Sequence, residues 1–483
     1  TRARAGPTGH ATQDRAADEM RFGAGLAMTR PPLRVPEPPF PRPSAARRLL
    51  PMLALMIMAL LWLTFYGDID LSSLNKPVTP EVPVERLGRP LDDSDSLTPV
   101  ERGAYLARAG NCAHCHTAPG GTPYAGGRAV VTPFGDVYAG NLTPDRKTGI
   151  GSWSADDFWR AMHQGRSRDG RLLYPAFPYP AFTGIRREDS DALFAYLMQL
   201  PPVEQTNRAH TLRWPYSTQA ALQVWQWLYF SPAPWTPEPQ RSAEWNRGAY
   251  LVQTLAHCGS CHTPRNRFGA ANEGRTFAGA LMPDGLWYAP SLRSIDEAGV
   301  QQWSVDDVAR LLRSGRATRG TAQGPMAEVV LHSTQHLSDA DLVAMGQYLK
   351  SLSVLPATDD AVALAPRAPD ARLMQSGAAI YEKHCADCHG KQGEGMAGAF
   401  PALAGQRAVL MENSHNLLQS LLYGGYGAST RTAPLPHGMP PFMLTLNDIE
   451  AAAVLTYIRN AWGNAAPEVT PLDVQRQRDA AIR

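Results

Sequence analysis

The sequence predicts an all-α chain in which three tandem small helical domains follow a single N-terminal transmembrane helix. Three observations predict it. An uncharged apolar run lies near the N-terminus, at residues 49–67. A pentamer of the form Cys-x-x-Cys-His occurs three times, as CAHCH (112–116), CGSCH (258–262) and CADCH (385–389). The segments around the pentamers share further residues at matching offsets, with apolar positions at helical spacing.

Residues 1–48 are rich in Arg, Pro and Ala and show no apolar period, so they are expected to form a disordered cytoplasmic extension. LLPMLALMIMALLWLTFY then runs from Leu49 to Tyr66. As a helix it would extend about 27 Å, close to the hydrocarbon thickness of a bilayer. Arg47 and Arg48 stand directly before it, with Arg30, Arg34 and Arg42 further back. The positive-inside rule therefore leaves the chain beyond Tyr66 on the exported side. A cleaved signal peptide would end in a small-x-small site. GDIDLSSLNKP offers none, which favours a retained anchor at 49–67 and a linker at 68–95.

The repeats set the remaining boundaries. RGAYLARAGNCAHCHT (102–117) and RGAYLVQTLAHCGSCHT (247–263) open and close alike, and SGAAIYEKHCADCHG (376–390) is a looser third copy. Each reads as a helix leading into its pentamer. WSADD (153–157) matches WSVDD (303–307), and Ser154 to Asp157 and Ser304 to Asp307 have the capping-box spacing that opens a second helix. SDALFAYLMQL (190–200), DADLVAMGQYLKSL (339–352) and NDIEAAAVLTYIRNAW (447–462) read as closing amphipathic helices, with Tyr196, Tyr348 and Tyr457 at equivalent places. The expected plan is domain 1 at 96–205, an aromatic-rich linker at 206–240, domain 2 at 241–356, a linker at 357–370, domain 3 at 371–464 and a tail at 465–483. The linker's four tryptophans, Trp214, Trp225, Trp227 and Trp235, read first as a packed connector and second as a docking patch.

The pentamers carry the chemistry. All six cysteines, Cys112, Cys115, Cys258, Cys261, Cys385 and Cys388, lie in them. Cys-x-x-Cys-His is the spacing of covalent haem c attachment: two thiols bond the porphyrin vinyl groups, and the adjacent imidazole becomes the proximal iron ligand. A zinc site would need four ligands from facing pairs. A thioredoxin-like pair would need no histidine. A disulfide across so short a loop would be strained. The expectation is three covalently bound haem c groups with His116, His262 and His389 on iron, each domain being a cytochrome c domain.

The sixth ligand needs separate evidence. GPMAEVV and HGMPPFM occupy the same interval of domains 2 and 3, which makes Met326 and Met439 the candidates, with Met443 the rival in domain 3. Domain 1 breaks the pattern: counting from Gly165 against Gly315 places Phe177 in the slot of Met326, and phenylalanine cannot bind iron. His163 is the expected substitute, since Met162 aligns with the apolar Leu312 and Leu421. Met162 and an open position are the rivals. A histidine ligand would lower that haem's potential relative to methionine.

From about Leu97 to Trp462 the chain resembles the three-haem cytochrome c subunits of membrane-bound, periplasm-facing bacterial dehydrogenases. NLTPDRKTGIGSWS (141–154), GRSRDGRLLYPAFPY (165–179), EWNRGAYLVQTLAHCGSCHTPRN (244–266) and YIRNAWGN (457–464) carry the likeness. It implies an electron-transfer subunit that serves a separate catalytic subunit and passes electrons to ubiquinone. Phe177 departs from the methionine of quinohaemoprotein alcohol dehydrogenase subunits. The chain looks more like the branch accompanying molybdenum hydroxylase-type aldehyde dehydrogenases, whose partners are a molybdopterin subunit and a [2Fe-2S] subunit. A pyrroloquinoline quinone (PQQ) or flavin-dependent alcohol or gluconate dehydrogenase is the alternative.

A net charge of +2 steers toward no nucleic acid. No glycine-rich nucleotide loop or HExxH helix is present, so no substrate catalysis is expected on this chain. Two further readings compete: a haem enzyme such as a peroxidase acting at domain 1, and a transmembrane redox sensor, for which residues 1–48 offer no signalling domain.

Overall fold

The computed structural model describes residues 97–355 and 369–482 apart from 432, 433 and 435. The anchor expected at 49–67 and the extension before it lie outside these residues. Among the described residues no helix is long and apolar enough to cross a membrane. The architecture is mostly helical. The long helices are α1 (Pro99–Ala109), α2 (Ala155–Gln164), α3 (Arg187–Leu197), α4 (Gln219–Tyr229), α5 (Ala243–Tyr250), α6 (Val305–Ser314), α7 (Gly324–His332), α8 (Asp339–Ser351), α9 (Ala371–His384), α10 (His415–Tyr423), α11 (Asp448–Asn460) and α12 (Pro471–Ile482). Four antiparallel pairs of two-residue strands supply the only β-ladders among the described residues.

Helix starts follow the sequence signals. Ser154 and Asp157 close a reciprocal capping box on α2, and the Ser304 hydroxyl accepts the Asp307 N–H on α6. Asn447 and Glu450 form a further box on α11.

Each pentamer-leading helix crosses a closing helix: α1 on α3, α5 on α8, α9 on α11. A glycine makes each crossing. A Cβ at Gly103 would stand 1.9 Å from the Ala192 carbonyl oxygen, one at Gly248 1.9 Å from that of Ala344, and one at Gly377 2.2 Å from that of Ala453. Only a residue without a side chain lets these backbones touch. The tyrosine four residues beyond each alanine, Tyr196, Tyr348 or Tyr457, packs into its own crossing, which accounts for their matching positions.

The second copy has one more residue than the first between its Arg-Gly-Ala-Tyr and its first cysteine. A π-helical turn at Leu251–Leu255 absorbs it. Asn111 (φ 52°) and His257 (φ 36°) then take left-handed conformations immediately before Cys112 and Cys258. The extra residue is removed before the pentamer, so both motifs enter their sites alike.

The first and second repeats share one hydrophobic cluster, running from Leu106, Phe158 and Leu193 to Leu251, Leu312 and Met345. The third has its own, built on Tyr381, Leu422, Val454 and Ile458. Ala322, Ala327, Val330 and Ala428 form a small apolar contact between the second and third. Asn416 reinforces it by accepting from the Tyr288 N–H at 2.9 Å and donating to the Tyr288 carbonyl at 2.8 Å.

Two segments read as connections contain helices. The 465–483 tail holds α12, which buries Val474 completely against the third cluster. The 206–240 linker holds α4. There Trp225 donates to the Phe268 carbonyl and Trp235 packs on Tyr250, as a connector would, while Trp214 and Trp227 are 80% and 60% exposed.

Candidate haem-attachment sites

Each pentamer forms a short helical turn, at Cys112–Cys115, Gly259–His262 and Ala386–His389. One turn places residues three apart on the same side, so each pair of thiols faces one way. Burial pushes the first thiol of each pair up, to about 12 for Cys112 and Cys258 and about 11 for Cys385. That is the reverse of the low value that a redox-active thiolate needs. All six thiols are unbridged.

The histidines show the same geometry three times. His116 Nδ1 lies 2.7 Å from the Gly140 carbonyl oxygen, His262 Nδ1 2.7 Å from that of Pro290, and His389 Nδ1 2.9 Å from that of Pro401. A carbonyl only accepts, so Nδ1 carries the proton and donates it. Burial holds all three imidazoles below the ordinary histidine range, hence neutral, with the hydrogen bond opposing. Each ring is therefore fixed in the tautomer whose Nε2 lone pair is available to iron, the usual outer-shell arrangement of a ligating histidine.

Sequence reasoning does not reach these carbonyl acceptors, because a backbone atom has no residue type. A signal does exist: Tyr-Ala-Gly at 138–140 and Tyr-Ala-Pro at 288–290 repeat, each starting on the second of two paired two-residue strands and ending just beyond it.

The methionine candidates fall in different settings. Met326 lies in the first turn of α7, between the shared cluster and the small contact to the third repeat. Met439 sits on a short strand opposite Gly425 and packs on the third cluster. Met443 is 37% exposed.

In the first repeat Phe177 packs on Phe182 with ring centres 5.4 Å apart, and Met162 is buried in the core, as are Leu312 and Leu421 in theirs. His163 is buried, stacks on Trp159 at 4.4 Å, and keeps an Nδ1 without a hydrogen-bond partner.

The first two pentamers are neighbours. The Cβ position of Gly110, two residues before Cys112, lies 3.6 Å from the carbonyl oxygen of Leu255, three residues before Cys258.

Paired thiols, a tautomer-locked histidine and a helical crossing over them define a c-type cytochrome. The cytochrome c family model matches residues 100–201 and 374–462. The chain belongs to the cytochrome c subunits of bacterial dehydrogenase complexes. It is 40% identical to the cytochrome c subunit of the quinone alcohol dehydrogenase of Gluconacetobacter polyoxogenes, over 80% of this chain and 85% of that one. It is also 40% identical to the gluconate 2-dehydrogenase cytochrome c subunit of Pantoea cypripedii, over 80% and 91%. Against one subunit of the nicotinate dehydrogenase of Pseudomonas putida it is 39% identical over 77% of this chain but 31% of that longer protein.

Proposed function

We propose that the chain is the membrane-anchored, three-haem electron-transfer subunit of a periplasm-facing dehydrogenase, taking electrons from a separate catalytic subunit and delivering them to ubiquinone. The observation that carries this reading is the thrice-repeated histidine, neutral and fixed by its own carbonyl beside two thiols. In it, Cys112 and Cys115, Cys258 and Cys261, and Cys385 and Cys388 attach the haems, and His116, His262 and His389 hold the irons. When bound, haem c supplies one-electron iron chemistry at a potential set by its axial ligands.

The chain's residues fix the ligands and keep the sites rigid. Met326 and Met439 are the proposed sixth ligands in the second and third domains. In the first, His163 takes that role: its partnerless buried nitrogen supports it over Met162, whose place in the core is occupied by an ordinary apolar contact. Replacing His163 by alanine should alter the spectrum of one haem; an unchanged spectrum and potential reject the assignment. The nearness of the first two pentamers supports electron exchange between those haems.

The favoured partner is a molybdopterin catalytic subunit with a [2Fe-2S] subunit, on the departure at Phe177. A PQQ- or flavin-dependent partner is the alternative, and the named relatives of alcohol and gluconate type keep it in view. Two measurements test the haem count and the partner. Alkaline pyridine spectra and intact mass should give three covalent haems per chain, and two would overturn the assignment. Metal and cofactor analysis of the complex purified with its native partners should give molybdenum; flavin or PQQ without molybdenum would reject that partner.

A further inference from the structure

Beyond the haem sites, one group of side chains has the composition of a metal site. Among the described residues, His114, Glu328 and His332 are the one trio of His, Cys, Asp or Glu whose ligand atoms all lie within 4.8 Å of one another. We propose that these three residues bind a divalent transition metal of the zinc type, tying the first repeat's pentamer to helix α7 of the second.

His114 is one of the two residues inside CAHCH that the attachment chemistry leaves free. The neighbouring His116 directs Nδ1 to Gly140, whereas the His114 ring faces α7 with its centre 5.1 Å from that of His332. His114 Nδ1 is buried and has no hydrogen-bond partner; its nearest acidic atom is Glu328 Oε2 at 3.8 Å. Such an orphan costs free energy, which a bound cation removes. On α7, Glu328 and His332 are four residues apart, the spacing that puts two ligands on one helical face, and His332 Nε2 lies 3.2 Å from Glu328 Oε2.

Zinc–ligand bonds of about 2.0–2.2 Å in a tetrahedron require ligand atoms roughly 3.3–3.6 Å apart. The trio needs only a modest contraction to reach that. Glu328 and His332 side chains are 47% and 40% exposed, so both can turn to make it. Two imidazoles and one carboxylate leave a fourth position for water and favour zinc-type metals over calcium, which takes 6–8 oxygens.

The test titrates the metal-free, haem-loaded full chain with Zn²⁺ against a competing chelator. The expected result is one saturable Zn²⁺ per chain and a raised melting temperature. His332→Ala and Glu328→Ala should each weaken the site at least about tenfold and abolish the melting shift, since even outer-shell losses cost that much. Both residues are exposed, so the variants should keep wild-type haem spectra and metal-free melting. Ca²⁺ at the same concentration should produce neither effect. The proposal is overturned if no saturable site appears, if both variants bind as the wild type does, or if Ca²⁺ fills the site equally well.

Discussion

The Tyr105 hydroxyl donates to Asp341 at 2.5 Å, from the first repeat to the second. Tyr250 of the second donates to Asp189 of the first, also at 2.5 Å. Each acid is bound in turn by the arginine of its own repeat, Arg102 to Asp189 and Arg247 to Asp341. The Arg-Gly-Ala-Tyr sequence thus has divided labour: arginine closes its own helix crossing, glycine permits it, and tyrosine reaches the other copy. Asp341→Asn should destabilise the chain by about 3 kcal/mol, the low end for breaking a buried ion pair because Arg247 keeps some contact with water. Tyr105→Phe should cost about 1–2 kcal/mol. Guanidinium unfolding of the haem-loaded protein measures both, and equal effects would contradict the two-partner role of Asp341.

Gly248→Ala should destabilise the chain more than Gly285→Ala, although each change adds one methyl group. Its Cβ has no room against the Ala344 carbonyl, so α5 and α8 must separate. Overpacking of this kind costs about 1–3 kcal/mol, and more where backbone blocks relaxation. Gly285→Ala is the comparison: no atom lies within 4 Å of its Cβ position, but its φ of 72° carries its own conformational cost. A melting temperature for Gly248→Ala no lower than that of Gly285→Ala would show that the crossing can relax.

Much of the fold is legible in the chain because repeated residues report repeated local structure. The pentamers, the three lead-in helices and the Ser154 box need only spacing. What a repeat does not report is which copy faces which, so Tyr105 reads as one more aromatic on a helix until Asp341 is seen beside it. His114 is hidden for the same reason: its partners are more than two hundred residues away on α7. Helix α12 escapes a sequence reading because DVQRQRD is polar at most positions, and a single buried Val474 does not make an apolar stripe.

Met439 and Met443 are four residues apart and differ in burial. Met439→Ala should shift the spectrum and lower the potential of one haem, because a thioether ligand raises it. Met443→Ala should leave both unchanged. Redox titration followed by visible absorbance separates the two, and the opposite pattern would move the ligand to Met443.

Acid sensitivity should have a histidine component at His336. Burial, with Arg108 adding to it, holds this imidazole down to about 4, against an unfolded value near 6.5. Between these values the unfolded chain binds the extra proton, so stability falls as pH drops from about 6.5 to about 4. His336→Gln should flatten that part of the stability profile. An unaltered slope in denaturant unfolding across this window would mean that other groups dominate it.

Arg459, in the YIRNAWGN segment, is wholly buried on α11. Its Nε donates to the Pro467 carbonyl at 2.8 Å, and its Nη2 to the carbonyls of Met411 at 2.9 Å and Glu412 at 3.3 Å. Burial draws the guanidinium down to about 10, which leaves it charged at neutral pH. One planar fork therefore holds both the loop before α10 and the chain leading to α12. Arg459→Ala should cost about 3–5 kcal/mol, since it strips buried carbonyls of donors and opens a cavity. Arg459→Lys should recover little, because an ammonium cannot reproduce the fork. Limited proteolysis offers a local readout: α12 should become cleavable in both variants before the first two repeats do, and simultaneous loss of all three would show that Arg459 supports the whole chain rather than its C-terminal end.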